Sequence, residues 1–416
     1  MKSPWSCALL CCLLLVPCLS TAQPGAWIAT WTASPEPADP DPKQPVLNLE
    51  DQTVRERLRI SAGGPQIRIR LSNECGASPV LVGSVTVAVP NDPASVKTGS
   101  IRVVTFGGRD SITIPPGAPV LSDPVVFNAP YRAEISVSLY LPKRVTGPTW
   151  HALALKHAVL SSRGDHTHDE EIHDGKATSS SILISAVLVP AQPSQRLVVA
   201  FGDSLVDGDG STLDADHNWP SDLIRRLGRT ADGFKLSVVN EGIAGNRLLG
   251  DGPLASLGVS ALARFDRDAL SIPGVTHIVL LEGINDLGFS GARLGELSLA
   301  EPADVRTAED LIAAYRQLIS RAHARGVKLI GCTITPWEGA DIRGYYSEAK
   351  EATRQVVNQW IRTSHEFDGV IDFDAVLRDP NHPSRLLTRF ASEDHLHPND
   401  TGYQAMADTI DLALFQ

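Results

Sequence analysis

A serine and a histidine far apart in the chain are the side chains of this sequence best suited to chemistry. Ser204 stands in the tetrapeptide Gly-Asp-Ser-Leu, directly after the apolar run 197–201. A buried parallel strand that ends in such a turn presents a hydroxyl at the carboxyl edge of its sheet, where open α/β folds bind ligands. Because Gly, Asp and Ser are also ordinary turn formers, this tetrapeptide alone predicts only a polar turn.

Three further polar segments lie where the same sheet edge is expected. Residues 240–246 read Asn-Glu-Gly-Ile-Ala-Gly-Asn, and residues 283–286 read Gly-Ile-Asn-Asp. Residues 394–398, Asp-His-Leu-His-Pro, come directly before the last predicted helix. Since each segment follows a predicted strand or begins a predicted helix, all four are expected to converge on one rim of the sheet.

These four segments, in this order, resemble the blocks of the SGNH, or GDSL-type, hydrolase family, which carry Ser, Gly, Asn and His. The blocks span the C-terminal half of the chain, and Asp-x-x-His-Pro is the most specific of them. The longer second block, Gly-Ile-Ala-Gly-Asn-Arg-Leu-Leu at 242–249, and the β-rich N-terminal region resemble a two-domain bacterial subgroup. That subgroup is described as arylesterases or acylhydrolases, some of them associated with xylan degradation.

The resemblance implies a role for each matching residue. Ser204 corresponds to the nucleophile, His397 to the base that takes its proton, and Asp394 to the carboxylate that orients the imidazole. The backbone N–H groups of Ser204 and Gly245 and the side-chain amide of Asn285 correspond to the oxyanion hole. The chemistry agrees, because a serine hydroxyl needs a base to become nucleophilic and acyl transfer needs donors aimed at the developing oxyanion.

Several of these residues have plainer explanations or close competitors. His395 competes with His397, but the motif places the catalytic histidine directly before the proline. Gly245 could serve only backbone freedom in a loop, and Asn285 could be a turn former or a helix cap. Asp203 precedes the serine and is expected to bond locally in the turn rather than to act as an acid.

The C-terminal half alternates apolar runs with amphipathic segments. Strands are predicted at 197–201, 236–240, 276–281, 327–333 and 370–373, and helices at 219–227, 260–270, 308–324, 347–363 and 401–414. Strands that alternate with helices predict a parallel sheet covered on both faces. About five strands predict a flavodoxin-like three-layer α/β/α domain.

The N-terminal region shows strand patterns and no convincing helix. Its predicted strands lie at 54–60, 66–71, 84–89, 101–105, 111–114, 125–127, 133–141 and 151–160. Residues 61–65, Ser-Ala-Gly-Gly-Pro, predict a hairpin between the first two strands. Short strands separated by Gly and Pro predict a sandwich or jelly roll. The predicted units are therefore an all-β domain at 23–189, a linker at 190–196 and a catalytic domain at 197–416.

Residues 1–22 have the pattern of a cleavable signal peptide, which predicts a secreted or periplasmic protein. Lys2 precedes the apolar run 8–16, and Ser-Thr-Ala at 20–22 forms a small-residue cleavage site. Four of the six cysteines lie in this segment, which leaves Cys75 and Cys332, and the sequence does not decide whether they pair. No later apolar run approaches the roughly 20 residues that span a bilayer.

Charge and metal-ligand spacing exclude several classes of partner. The chain has 37 Lys and Arg against 48 Asp and Glu, a formal net charge of −11 at pH 7. An acidic chain without a basic patch is a poor candidate for binding nucleic acid. His166, His168 and His173 stand among carboxylates, but their spacing fits no standard catalytic metal site. Flanking glycines predict a solvated loop there, with a structural metal site as the alternative, and no cofactor is expected.

The loop 287–306 is predicted to form one wall of the acyl or leaving-group pocket. It follows the strand end that carries Asn285, and it is longer than an idle connection usually is. Phe289 is its candidate pocket residue, and simple packing of the loop onto the domain is the alternative.

The pattern as a whole predicts a secreted, metal-independent serine carboxylic-ester hydrolase. Its expected substrates are short-chain esters, either O-acetyl groups on polysaccharide or small aryl and alkyl esters. A thioesterase or lysophospholipase would use the same site residues. From another class, the chain could be a carbohydrate-binding protein with a vestigial hydrolase domain. The sequence leaves the oligomeric state open.

Overall fold

The computed structural model describes residues 26–38, 47–230 and 233–416. It shows an α/β protein in which a five-stranded parallel sheet follows an antiparallel β region, so the predicted fold class is confirmed. The predicted signal peptide, residues 1–22, lies outside the described residues. Among the described helices, none combines the length and apolarity needed to cross a membrane.

The antiparallel region is built from short strands, in agreement with the Gly- and Pro-punctuated sequence. They are β1 (Trp27–Thr32), β2 (Glu36–Pro37), β3 (Asn48–Leu49), β4 (Gln52–Arg59), β5 (Gly64–Ser72), β6 (Val80–Val82), β7 (Ser84–Ala88), β8 (Arg102–Val103), β9 (Ile112–Ile114), β10 (Pro119–Leu121), β11 (Val125–Ala129), β12 (Glu134–Leu141), β13 (Val145–Thr146), β14 (Thr149–His151), β15 (Ala158–Arg163), β16 (Lys176–Thr178), β17 (Ser181–Ile182) and β18 (Ile184–Pro190). One sheet has the order β1-β18-β5-β10, with β11 also on β5. A second has the order β16-β15-β4-β12-β7-β8, and three smaller sheets have the orders β17-β14-β2, β13-β3 and β6-β9.

The predicted hairpin between β4 and β5 is wrong, because the two strands belong to different sheets. The chain changes sheets within the predicted turn. The Ile60 N–H donates to Ala133 O beside β12, whereas the next N–H, of Ser61, donates to Thr30 O on β1. Gly63 permits the crossing, since a Cβ there would lie 2.5 Å from the carbonyl oxygen of Ala129. Both strands bury apolar side chains, and distant partners rather than the turn set their pairing.

The predicted strand at 151–160 is also interrupted. It forms the end of β14 and the start of β15, with irregular backbone at 152–157. Leu155 adopts a positive φ of 51°, and its carbonyl accepts a hydrogen bond from Asp214 N in the C-terminal region. Residues 152–157 therefore form a hydrogen bond with the C-terminal region instead of continuing the strand.

The C-terminal region alternates strands and helices as predicted. Its parallel strands are β19 (Arg196–Gly202), β20 (Leu236–Gly242), β21 (Val275–Leu281), β24 (Lys328–Cys332) and β25 (Gly369–Ile371), and the hairpin strands β22 (Arg293–Leu294) and β23 (Leu297–Ser298) lie between them in the chain. The parallel order β20-β19-β21-β24-β25 is that of a flavodoxin-like sheet. The carboxyl ends of β19, β20 and β21 are therefore adjacent, and the predicted site lies at this edge.

Helices cover the parallel sheet, and most of the predicted boundaries agree with their caps. The helices are α1 (Ser204–Asp207), α2 (Trp219–Leu227), α3 (Ala261–Phe265), α4 (Ile284–Gly288), α5 (Ala308–Ala324), α6 (Glu348–Thr363), α7 (Phe373–Leu377) and α8 (Asp400–Thr409). Thr307 caps α5 in a reciprocal capping box with Asp310. The last helix is shorter than predicted because Arg226 binds the carbonyls of Ala407 and Ile410, where the chain leaves the helix.

The two regions share one hydrophobic core and several buried hydrogen bonds. Ser237, on β20, donates to Ala29 O on β1, and its hydroxyl lies 2.7 Å from that of Ser61. Thr32 Oγ1 donates to Asn240 O at the other end of the same contact. The β region thus packs directly against the edge strand of the parallel sheet.

Candidate active site

Ser204 is the first residue of α1, immediately beyond the carboxyl end of β19. Asp203 is the N-cap of this short helix, and its Oδ1 accepts from Leu205 N at 2.9 Å. Burial raises the pKa of Asp203 to about 7. A Cβ on Gly202 would collide with the carbonyl oxygen of Leu281, so only glycine allows β19 to approach β21 this closely before the serine.

The structure brings Ser204, His397 and Asp394 together in one chain of hydrogen bonds. His397 Nε2 lies 2.8 Å from Ser204 Oγ, and His397 Nδ1 lies 2.6 Å from Asp394 Oδ2. Because a carboxylate only accepts, Nδ1 carries a proton and Nε2 is left to accept the serine proton. His397, and not the neighbouring His395, makes these contacts.

The turn before α8 fixes the carboxylate that orients the histidine. Asp394 Oδ1 accepts from Ser392 Oγ at 2.7 Å, Leu396 N at 2.8 Å and His397 N at 2.9 Å. Burial acts to raise the pKa of Asp394, but its hydrogen bonds and the neighbouring imidazole hold that pKa well below the usual range. Asp394 is therefore ionised at neutral pH, as an orienting carboxylate requires.

A second carboxylate, that of Asp209, faces the histidine from the loop after α1. Its Oδ2 lies 3.8 Å from His397 Nε2, and its side chain is 43% exposed. Burial alone lowers the pKa of His397, but the hydrogen bond to Asp394 and the charges of Asp209 and Asp394 outweigh it and raise the pKa above 6.5. The site therefore favours the protonated imidazole that proton transfer from serine creates.

Asn285 lies on α4, and two contacts fix the direction of its amide. Nδ2 donates to the carbonyl oxygen of Asn246 at 2.8 Å, and Oδ1 accepts from Tyr345 Oη at 2.7 Å. Since a backbone carbonyl only accepts, the nitrogen must face Asn246. One of the two Nδ2 protons is used there, and the second is available to a substrate oxygen.

Gly245 lies in the loop after β20, next to the carbonyl that Asn285 binds. Its φ is +74°, and a Cβ would approach Leu257 Cδ2 to 2.8 Å, so the loop requires glycine here. Asp286 holds the same loop through hydrogen bonds from Leu248 N at 2.6 Å and Leu249 N at 2.9 Å. The second and third sequence blocks therefore form one connected unit beside α1.

Phe289 lies in the hydrophobic core and is only 4% exposed. Its ring meets that of Tyr345 edge-on with centroids 6.1 Å apart, and the Arg247 guanidinium lies 6.0 Å from its centroid. Phe289 thus supports Tyr345, which in turn contacts Asn285. Its predicted role as a pocket wall stays a prediction.

Replacing Phe289 by alanine is expected to destabilise the protein by about 3–5 kcal/mol, because a large buried ring is removed from a packed core. Thermal or denaturant unfolding measures this. The same variant tests the pocket hypothesis, which requires a changed preference for acyl length with little change in melting temperature. Leu294→Ala is the matched control, since this side chain of the same loop is 56% exposed and should barely affect stability.

The histidine-rich loop forms local pairs. His166 Nδ1 lies 2.7 Å from Asp169 Oδ2, and His173 Nδ1 lies 3.4 Å from Glu171 Oε1. Within the part of the chain that the structure describes, no cluster of three or more His, Cys, Asp or Glu side chains could hold a metal ion. Cys75 and Cys332 are both unpaired.

Sequence reasoning missed the residues that support this constellation. Tyr345 lies far from the four motif blocks, in the segment before α6, and its hydroxyl has no motif of its own. Asn246 belongs to the second block, but its contribution is a backbone carbonyl, which its residue type did not indicate. Asp209 and Ser392 flank the serine and histidine blocks closely, and their polar types near those blocks were the available signal.

A serine, a histidine and an aspartate hydrogen-bonded in series at the edge of an α/β sheet form the constellation of hydrolases that pass through an acyl-enzyme. Residues 200–405 match the GDSL-like Lipase/Acylhydrolase family, and this part of the chain belongs to that family. The recognised resemblance is therefore confirmed, while the two-domain subgroup stays a prediction. No curated protein sequence matches the chain significantly.

Solved structures similar to this chain cover about half of it. A GDSL-like lipase from Bacteroides thetaiotaomicron is 15% identical, with 53% of this chain and 88% of that one aligned and a TM-score of 0.36. An aryl esterase from M. smegmatis is 14% identical, with 51% and 95% aligned and a TM-score of 0.39. A variant of an acetyl xylan esterase from Geobacillus stearothermophilus is 19% identical, with 51% and 92% aligned and a TM-score of 0.39.

Proposed function

We propose that this protein is a carboxylic-ester hydrolase that forms an acyl-enzyme on Ser204. The observation that carries the proposal is the hydrogen-bonded series Asp394–His397–Ser204, with distances of 2.6 and 2.8 Å. A serine so placed needs no rearrangement to pass its proton to a base. Membership of residues 200–405 in an acylhydrolase family supports the same reaction class.

In the proposed reaction, Ser204 Oγ attacks the ester carbonyl carbon while its proton moves to His397 Nε2. The carbonyl electron pair moves onto the oxygen. The backbone N–H groups of Ser204 and Gly245 and the Nδ2–H of Asn285 then stabilise this oxyanion by donating hydrogen bonds to it. The intermediate collapses, and the leaving alkoxide takes the proton from His397. Water, deprotonated by the same nitrogen, then attacks the acyl-enzyme, releases the carboxylic acid and returns the proton to Ser204.

We further propose short-chain esters as substrates, either O-acetyl groups of polysaccharides or small aryl and alkyl esters. A panel separates the candidates: acetate release from acetylated polysaccharide, turnover of aryl acetates and longer aryl esters, a thioester and a lysophospholipid. Preference for the acetylated polymer or the short aryl ester supports the proposal. Faster turnover of the thioester or lysophospholipid contradicts it, and binding of polysaccharide without any turnover indicates a vestigial site.

The proposed location is secreted or periplasmic, on the basis of residues 1–22. Expression of the full chain in a bacterial host, followed by fractionation and sequencing of the mature amino terminus, tests it. Cleavage near Ala22 is expected, and recovery of the uncleaved chain in the cytoplasm contradicts the assignment.

The pH profile of kcat/KM should show an acidic limb that reports the free enzyme's His397. Neutral imidazole is the active form, so activity is lost as pH falls through a pKa that lies above 6.5. Asp209→Asn removes one of the charges that raise this pKa, so the limb should move to lower pH. Stopped assays with an aryl acetate across pH 5 to 9 measure the limb in the unmodified enzyme and in Asp209→Asn.

Glu393→Gln is the matched control for this shift. It removes the same charge from an exposed side chain next to Asp394, and the limb should stay where it is in the unmodified enzyme. If Asp209→Asn leaves the limb unmoved, or moves it to higher pH, the proposed influence of Asp209 on His397 is wrong.

A further inference from the structure

A buried histidine of the β region contacts α1, the short helix that begins with Ser204. His151, on β14, places Nε2 at 3.0 Å from Asp207 Oδ1 and Nδ1 at 2.9 Å from Glu36 Oε1. All three residues are almost completely buried, with 6% exposure or less. Glu36 and His151 come from the β region, whereas Asp207 is the last residue of α1, three positions after Ser204.

Both ring nitrogens of His151 face carboxylate oxygens, which accept hydrogen bonds when ionised. The imidazole therefore matches the two carboxylates best as a cation that donates on both sides. Burial opposes this charge, but the negative charges of Asp207 and Glu36 outweigh it and raise the pKa of His151 well above its usual range. A buried cation between two buried carboxylates tolerates little displacement, because the loss of either partner leaves an unpaired charge.

Asp207 also makes hydrogen bonds to the turn that carries Ser204 and to the loop that carries Gly245. Its N–H donates to Asp203 O, which closes the turn that carries Ser204. Its Oδ2 accepts from Ala244 N at 3.2 Å, directly before Gly245. A displacement of Asp207 would therefore shift the serine and the adjacent oxyanion donor together.

We infer that His151 is a positioning residue for the reaction at Ser204, which it serves by holding Asp207 against the β region. The β region is thereby part of the catalytic unit rather than an appended binding module. The inference rests on the proposed function, and it adds a role for the β region that the four sequence blocks do not contain.

A double-mutant cycle on the full chain tests this inference. His151→Ala and Asp207→Asn are each expected to lower kcat for an aryl acetate by about 10- to 100-fold with KM nearly unchanged, because small misplacements of reacting groups are costly. The double variant should be no slower than the slower single variant, since both changes disrupt the same contact between His151 and Asp207. The rate of Ser204 labelling by a fluorophosphonate should fall in parallel.

Ser237→Ala is the matched control, because it removes a buried hydrogen bond between the same two regions at the opposite end of β20. It should lower the melting temperature and leave kcat unchanged. If His151→Ala is unstable, Glu36→Gln provides a second test, since it keeps the shape and removes one charge. Its kcat should fall in the same direction by a smaller factor.

The result that would overturn the inference is unchanged kcat in folded His151→Ala protein, or single effects that multiply in the double variant. Failure of the proposed function looks different. In that case the unmodified protein itself would show neither turnover nor labelling at Ser204.

Discussion

Replacing Ser204 by alanine is expected to abolish ester hydrolysis, with a loss in kcat on the order of 10⁶-fold, while the protein keeps its fold. The substitution removes the only atom that bonds to the acyl group in the proposed reaction. The side-chain partner of Ser204 Oγ is His397 Nε2, at 2.8 Å. The substitution therefore removes the hydrogen bond of one catalytic group and leaves the hydrogen bonds of the core intact. Turnover of an aryl acetate and thermal unfolding, measured on the same preparation, test the two parts.

A covalent probe makes this result independent of the substrate chosen. A fluorophosphonate should label the unmodified enzyme at Ser204 alone, as located by peptide mass spectrometry, and should not label the alanine variant. Ser271→Ala is the control, because it removes an exposed hydroxyl whose bond is to Asp266 O within one turn. Normal turnover in Ser204→Ala, or labelling at a different serine, would show that the nucleophile is misassigned.

The parallel sheet was predictable from the sequence because its determinants are local. Each strand is a short apolar run, and each long helix shows a 3.6-residue period bounded by a capping residue. The helix 308–324 illustrates this, since Thr307 and Asp310 form the capping box where the pattern begins. The observed strand order is that of the predicted flavodoxin-like fold, and it places the first three blocks at one edge of the sheet.

The β region was less predictable because its pairing is not local. The sequence between β4 and β5 has the residues of a hairpin turn, yet the strands pair with β12 and β18, far along the chain. Residues 152–157 carry a strand-like pattern, but Lys156 and His157 contact Asp216 and Asp214 of the C-terminal region. Such contacts depend on how two regions dock, which no local pattern records.

Within the site, the motif residues were found and their supports were not. Ser204, Asp394 and His397 form the hydrogen-bonded series, and the loops of Gly245 and Asn285 lie beside it. The resemblance of the four blocks to the family's motifs named these five positions, and the oxyanion-hole roles of Gly245 and Asn285 stay a prediction. The supporting groups act through particular hydrogen bonds that their residue types alone did not indicate. This applies to the Tyr345 hydroxyl, the Asn246 carbonyl and the pair formed by His151 and Asp207.

Replacing Asn285 by alanine should lower kcat by about 10²- to 10³-fold with little change in KM, the usual cost of losing one oxyanion donor. Among the described residues, Nδ2 has Asn246 O as its one acceptor, and in the proposed reaction its second proton is donated to the substrate oxygen as charge develops there. Initial rates over a range of aryl acetate concentrations separate kcat from KM. A change confined to KM would assign Asn285 to substrate binding instead.

Two further variants, one at this position and one at Tyr345, separate hydrogen-bond donation from packing. Asn285→Ala also leaves Asn246 O and the Tyr345 hydroxyl without their hydrogen-bond partner. A loss of about 1–3 kcal/mol in the free energy of unfolding should therefore accompany it. Asn285→Asp keeps the shape but puts an acceptor where the donor stood, so its kcat should fall at least as far as that of the alanine variant. Tyr345→Phe leaves Nδ2 in place and removes only the hydroxyl that holds Oδ1, so it should lower kcat by a smaller factor. If Asn285→Asp retained full activity, the amide would not be the oxyanion donor, because a carboxylate beside an oxyanion opposes the charge that forms.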